Sequence, residues 1–155
     1  KARRDLESPE MKSLFYWVSL QICVYPELEF FHHIPNGEKR DPITAAKLKA
    51  MGVKSGIPDT FLPVPAGGYH GLYIELKAPD EGKVSKNQKK VIRFLQEMGY
   101  RVEVCHGWEP AKDILVNYLK MYYRERGSTC PSANKKRSGR SERSKTQPLA
   151  LAGRS

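Results

Sequence analysis

The chain has 155 residues and a formal net charge of +10, so it has the size of one folded domain and a charge that favours polyanions. No apolar run approaches the ~20 residues that a membrane-spanning helix needs, which excludes a membrane-spanning helix. Cys23, Cys105 and Cys130 are too widely spaced for a disulfide framework or a zinc ligand set, which predicts an intracellular, cytoplasmic setting.

The positive charge is concentrated towards the end of the chain. Residues 124–155 contain nine basic residues, two acidic residues and no aromatic residue. Chains of this composition cannot bury enough apolar surface to offset the conformational entropy that is lost on folding. We therefore predict one folded domain over residues 1–123 and a basic, disordered tail over residues 124–155.

The first part of the chain predicts a helix, a strand and a short helix. The first helix covers residues 7–24, with Ser8 and Pro9 at its start. Residues 28–34 predict a strand, and Asn36-Gly37 predicts a turn. Asp41-Pro42 then starts a helix over residues 43–51, which Gly52 ends.

Residues 56–79 predict two strands joined by a Pro/Gly-rich loop at residues 65–68. Because side chains alternate along a strand, the aliphatic residues of the second strand share a core face, whereas Glu75 and Lys77 share the other face. Asp59 lies where the first strand begins. If that strand pairs with the second, the carboxylate of Asp59 lies beside that of Glu75.

Two neighbouring carboxylates repel each other unless a cation lies between them. Mg²⁺ prefers this kind of oxygen ligand, with water and phosphate completing its shell. Lys77 would then polarise a water molecule or stabilise charge on a phosphate. The alternative is a surface Glu75–Lys77 pair, with Asp59 serving only as the residue that starts a strand. Lys54, in the loop before Asp59, is a candidate phosphate contact.

The next helix is predicted over residues 85–98. Ser85 and Gln88 have the spacing of a capping box, in which the Gln88 side chain bonds back to the Ser85 backbone. The alternative is that Gln88 points inwards and needs a buried polar partner, for which Lys77 is a candidate. Three lysines on the outer side of this helix could follow a phosphate backbone: Lys86, Lys89 and Lys90.

The remaining elements are a strand over residues 101–106 and a helix that Glu109-Pro110 opens. The order of elements predicts an α/β domain with a mixed central β-sheet flanked by helices. Tyr118, Tyr122 and Tyr123 at the end of the last helix fit either a protein–protein interface or the core.

Pro58-Asp59 together with Glu75-Leu76-Lys77 resembles the signature of the PD-(D/E)XK nuclease superfamily. Further segments narrow the resemblance to the virus-type replication-repair nuclease family, VRR-NUC. These segments are residues 33–37 (HIPNG), 52–59 (GVKSGIPD), 71–77 (GLYIELK) and Ser85-x-x-Gln88. The resemblance extends over residues 7–119.

The resemblance implies a restriction-endonuclease-like core that hydrolyses DNA phosphodiester bonds with Mg²⁺ or Mn²⁺. The implied metal ligands are Asp59, Glu75, the backbone carbonyl of Leu76 and an acidic residue of the first helix. Glu10 matches that acidic residue best and Glu7 is the alternative; a Glu in a first turn also favours the helix dipole without any metal. The resemblance further implies that Gln88 belongs to the active site and orients Lys77.

The expected partner is DNA, in branched or four-way-junction form, because stand-alone viral-type members of the family resemble junction resolvases. A homodimer would match the near two-fold symmetry of a junction. Two alternatives stay open from the sequence. One is a nuclease specific for flaps or forks, and the other is a catalytically silent nucleic-acid-binding module.

Overall fold

The computed structural model describes residues 7–35, 41–79, 83–128 and 131. Within these residues the helices are α1 (Glu7–Gln21), α2 (Pro42–Ala50), α3 (Lys86–Glu97) and α4 (Trp108–Glu125), with a 3₁₀-helix at Pro26–Phe30. The strands are β1 (His32–His33), β2 (Thr60–Leu62), β3 (Leu72–Lys77) and β4 (Arg101–His106). No described helix is long and apolar enough to cross a membrane.

The strands form one sheet in the order β1-β2-β3-β4. β2 pairs antiparallel with both β1 and β3, whereas β3 and β4 are parallel. A parallel pair needs a crossover connection, and α3 provides it between β3 and β4. The predicted α/β fold, with a mixed central sheet and flanking helices, is confirmed.

The hydrophobic core lies between one face of the sheet and helices α1 and α4. Leu72, Ile74 and Leu76 on β3 are at most 1% exposed, as the alternation of apolar residues predicts. They belong to one cluster with Leu14 of α1 and Leu115 of α4. The opposite face of β3 is therefore free to carry polar chemistry.

The tyrosines at the end of α4 belong to the fold itself. Tyr118 is fully buried, and its hydroxyl donates a hydrogen bond of 2.8 Å to the carbonyl of Val64. Burial raises the pKa of Tyr118 to about 12. The Tyr123 hydroxyl donates to Glu27 at 2.8 Å. These contacts favour the core interpretation of the two residues over the interface interpretation.

The structure corrects the strand that residues 28–34 predict. The 3₁₀-helix takes up the first three residues of this segment, and β1 contains only His32 and His33. Leu28 and Phe31 are both buried, at 1% and 4% exposure. Residues three apart point to opposite faces of a strand but to the same side of a 3₁₀-helix, so only the helical turn buries both. Helix α1 likewise ends at Gln21, before the predicted end at Val24.

The proposed boundary at residue 123 falls inside α4, which continues to Glu125. Most of the predicted tail lies outside the described residues, as do the predicted turn at Asn36-Gly37 and the Glu7 side chain. Helix α2 is present near its predicted position, and the Asp41 side chain accepts hydrogen bonds from the amides of Ile43 and Thr44 at its start.

Candidate active site

Antiparallel pairing of β2 and β3 brings Asp59 and Glu75 together. Thr60 pairs with Ile74, so Asp59, one residue earlier, lies opposite Glu75. The Leu76 amide donates a hydrogen bond of 2.9 Å to Oδ2 of Asp59, and the Asp59 carbonyl accepts from the Ile34 amide at 2.6 Å. Ile34, the residue after β1, therefore holds the backbone of Asp59 while β3 holds its carboxylate.

Glu75 and Lys77 lie on the same face of β3, since they are two residues apart. Nζ of Lys77 is 2.6 Å from Oε1 of Glu75. Glu75 is 1% exposed and Lys77 is 7% exposed, so this is a buried ion pair and not the surface pair of the alternative interpretation. A buried charged pair costs desolvation that apolar residues would not, so stability alone gives little reason to place it here.

Gln88 combines the two roles that the sequence left as alternatives. Its Oε1 accepts a hydrogen bond from the Ser85 amide, and Oγ of Ser85 accepts from the Gln88 amide at 3.2 Å, which completes a capping box. Its Nε2 at the same time donates to Oε1 of Glu75. The structure thus places Gln88 against Glu75, where the resemblance implied that it orients Lys77.

Exchanging Gln88 for glutamate should separate these two roles. Glutamate also satisfies a capping box, but it places a carboxylate against Glu75 in place of a donor. We expect cleavage to fall about 10- to 100-fold, since a hydrogen bond to a charged group contributes about 1.5–3 kcal/mol. Ser85→Ala is the matched control: it should lower the free energy of unfolding by about 1 kcal/mol and leave the cleavage rate unchanged. Equal cleavage by Gln88→Glu and the wild type would remove Gln88 from the site.

The backbone of β3 offers a third oxygen at this place. The Lys77 carbonyl accepts from the Gly107 amide on the β4 side. Because successive backbone groups alternate sides along a strand, the Leu76 carbonyl faces the β2 side, where the Leu76 amide already meets Asp59. Two carboxylates and one carbonyl form a hard oxygen donor set, which fits Mg²⁺ or Mn²⁺ and not a soft metal.

Glu10, the candidate metal ligand of α1, is bonded to the start of α4 in this structure. Its Oε2 accepts a hydrogen bond of 2.8 Å from the amide of Trp108, the first residue of α4, where Gly107 offers no capping side chain. Within residues 7–35, 41–79, 83–128 and 131, no three His, Cys, Asp or Glu side chains form a group that could hold one metal ion. The structure therefore brings Asp59 and Glu75 together and places Glu10 at the start of α4.

The lysines of the predicted nucleic-acid contacts are exposed. The Asn87 side chain donates to the carbonyl and hydroxyl of Ser55, at 2.9 and 2.8 Å, and so ties the loop before β2 to the start of α3. Gly56 permits this approach, since its φ is +87° and a Cβ there would lie 2.9 Å from the Asn87 amide nitrogen. Of the four predicted lysines, Lys54 and Lys86 flank this contact. Lys89 and Lys90 lie further along α3.

One feature beside the carboxylates was not expected from the sequence. Phe61 lies two residues after Asp59 and Tyr73 two residues before Glu75, and their rings stack with centroids 4.3 Å apart. The alternation along each strand already places these rings on the carboxylate face. The pairing of Phe61 with Tyr73, which follows from the register of β2 and β3, is what brings the rings together.

Comparison with known proteins identifies the family of this chain. Residues 6–109 match the family model described as the VRR-NUC domain. A solved structure named "VRR_NUC domain protein" is 30% identical, with a TM-score of 0.65 over 77% of this chain and 92% of that chain. No curated protein matches this chain. The chain belongs to the VRR-NUC family of the PD-(D/E)XK nuclease superfamily, and its function is of the nuclease type.

Proposed function

We propose that the protein is a Mg²⁺- or Mn²⁺-dependent endonuclease that hydrolyses DNA phosphodiester bonds inside the cell. The observation that carries this proposal is the cluster of Asp59, Glu75 and Lys77 on one face of the sheet, with the two carboxylates on adjacent strands. Family membership supports the nuclease chemistry. The net charge of +10 supports a polyanionic substrate.

The side chains have separate tasks in this proposal. Asp59, Glu75 and the Leu76 carbonyl hold the cation, with Glu10 as a further candidate ligand from α1. When bound, a divalent cation supplies Lewis acidity towards phosphate and lowers the pKa of water. Lys77 donates hydrogen bonds that orient the attacking water and offset negative charge developing on the phosphate.

Gln88 holds the Glu75 carboxylate in place. The DNA backbone is contacted by four lysines, Lys54, Lys86, Lys89 and Lys90.

The proposed substrate is branched DNA. A four-way junction has near two-fold symmetry, so a homodimer with one site for each opposing strand would match it. A single domain with one site can instead nick one strand of a flap or fork. The internal contacts of Tyr118 and Tyr123 leave only Tyr122, of the three tyrosines, to support an interface at the end of α4, and this favours the flap or fork.

A cleavage assay with matched substrates tests this function. Four-way junctions, flaps, splayed forks and plain duplex of shared sequence are incubated with Mg²⁺, Mn²⁺ or EDTA. We expect cleavage with either cation, none in EDTA, and faster cleavage of branched forms than of duplex. Paired nicks in a junction by a species of twice the monomer mass indicate the dimeric resolvase, whereas nicks in one strand of a flap or fork indicate the alternative. Tight DNA binding without cleavage under any condition would indicate the silent binding module.

A further inference from the structure

Five aromatic side chains form a continuous row across the strands and the turns beside them. The Phe61 and Tyr73 rings stack at 4.3 Å, and Tyr100 packs its ring at a steep angle to both, with centroids 6.0 and 5.4 Å away. The ring centroid of His32 lies 5.8 Å from that of Phe61, and the ring centroid of His70 lies 5.8 Å from that of Tyr100. We call these five residues the aromatic row.

The aromatic row lies on the face of the sheet that carries the candidate active site. His32 pairs with Phe61 and Phe61 pairs with Tyr73, so these three side chains share one face. Asp59 and Glu75 lie on that face as well, each two residues along its strand from an aromatic ring. Two residues of a strand span about 7 Å, so Phe61 and Tyr73 lie about 7 Å along their strands from the two carboxylate residues.

The aromatic row is not part of the hydrophobic core, which lies on the other face of the sheet. His32 and His70 are exposed, and Phe61, Tyr73 and Tyr100 are only partly buried. Two glycines make room for the row. A Cβ on Gly71 would lie 2.7 Å from the Phe61 ring, and a Cβ on Gly99 would lie 2.8 Å from the His70 ring.

We propose that the aromatic row stacks an unpaired nucleobase next to the phosphodiester bond that is cut. Aromatic side chains beside a positively charged surface are the combination that binds single-stranded nucleic acid, because every base has a π-face. In an intact duplex each base stacks on its neighbours and is paired, so it cannot reach such a surface. The row therefore selects DNA with unpaired nucleotides beside the cleavage site, as at a flap or fork.

This inference rests on the proposed function for the identity of the substrate, but its test needs no cleavage. A splayed fork carries one abasic site, which is moved nucleotide by nucleotide through the unpaired arm. Binding is measured by fluorescence anisotropy in Ca²⁺. Wild-type protein should bind about 10-fold more weakly when the abasic site occupies the stacked position. When the abasic site lies elsewhere, the affinity should equal that for the fork without an abasic site. The same affinity at every position would overturn the proposal without any protein variant.

Protein variants give the complementary test. Tyr100→Leu and Tyr73→Leu should weaken binding to the fork about 10-fold and leave binding to paired duplex unchanged. On the fork with the abasic site at the stacked position, the variants should cause no further loss, since the base they would stack is missing. Tyr69→Leu is the matched control, because this exposed tyrosine lies outside the row, and it should bind all substrates like the wild type. Equal losses on fork and duplex would assign the row to folding alone.

A 2-aminopurine at the stacked position reports on stacking directly. Its fluorescence should fall when wild-type protein binds and recover in the complex with Tyr100→Leu. If stacking is observed but no DNA is cleaved in Mg²⁺ or Mn²⁺, the proposed function fails and the stacking surface stands. If forks are cleaved but neither the abasic site nor the variants change binding, the stacking surface fails alone.

Discussion

Replacing Asp59 with asparagine should reduce the rate of DNA cleavage about 100- to 1,000-fold, since a bound cation contributes several kcal/mol of transition-state stabilisation. Asparagine has the size of aspartate and keeps an oxygen that can accept the Leu76 amide, as Oδ2 does at 2.9 Å. The loss of one negative charge should weaken cation binding, because one of the two carboxylates that β2 and β3 bring together is then neutral. Cleavage of a fork in Mg²⁺ and Mn²⁺ measures the effect.

Asp41→Asn provides the matched control for this prediction. Asp41 caps α2, and asparagine caps a helix as well as aspartate does, so this variant loses the same charge without loss of structure. It should cleave at the wild-type rate. Circular dichroism and urea unfolding should show that both variants are folded. Wild-type cleavage by Asp59→Asn would refute the assignment of Asp59 to the active site.

Replacing Lys77 with methionine should abolish cleavage and also destabilise the protein. The ammonium lies 2.6 Å from a Glu75 carboxylate that is 1% exposed. Removal of one partner leaves the other charge buried without its counterion, which costs about 3–5 kcal/mol in folding stability. We expect a loss of this size in urea unfolding at neutral pH in EDTA. Cleavage should fall because the side chain that orients water and offsets charge on phosphate is missing.

The double variant Lys77→Met, Glu75→Gln distinguishes the loss of charge from the loss of packing. With both charges removed, most of the lost stability should return, whereas cleavage should stay abolished. Added Mg²⁺ should stabilise Lys77→Met more than it stabilises the double variant, since Glu75 offers a ligand in the first protein only. A Lys77→Met variant as stable as the wild type in EDTA would show that the ion pair does not have the buried character seen here.

The sequence predicted the local structure around the candidate site wherever neighbouring residues decide the geometry. The two-residue alternation of β3 separates the aliphatic core face from Glu75 and Lys77. The spacing of Ser85 and Gln88 predicts the capping box at the start of α3. Gly99 follows the end of α3 and has a φ of +82°, a conformation that favours glycine. Each of these depends on residues within one turn of helix or a few residues of strand.

Contacts between distant residues could not be predicted in the same way. The partner of Gln88 depends on where α3 lies above β3, and this places its amide on Glu75. Glu10 accepts a hydrogen bond from Trp108, which is 98 residues away, so no local pattern reveals that it caps α4. The sequence offered a Glu75–Lys77 pair only as a surface feature, and it did not predict that this pair would be buried.

From its sequence alone, this protein is assigned an α/β fold, a nuclease family, and an Asp59, Glu75 and Lys77 cluster, because periodicity and motif order are properties of the chain itself. Only the tertiary structure decides that Leu28 and Phe31 form a 3₁₀-turn, since burial of both in one core overrides the strand pattern of their segment. Only the register of β2 against β3 stacks Phe61 on Tyr73 beside the carboxylates. Pairing between strands is a long-range interaction, and its side-chain neighbours exist only once the sheet has formed.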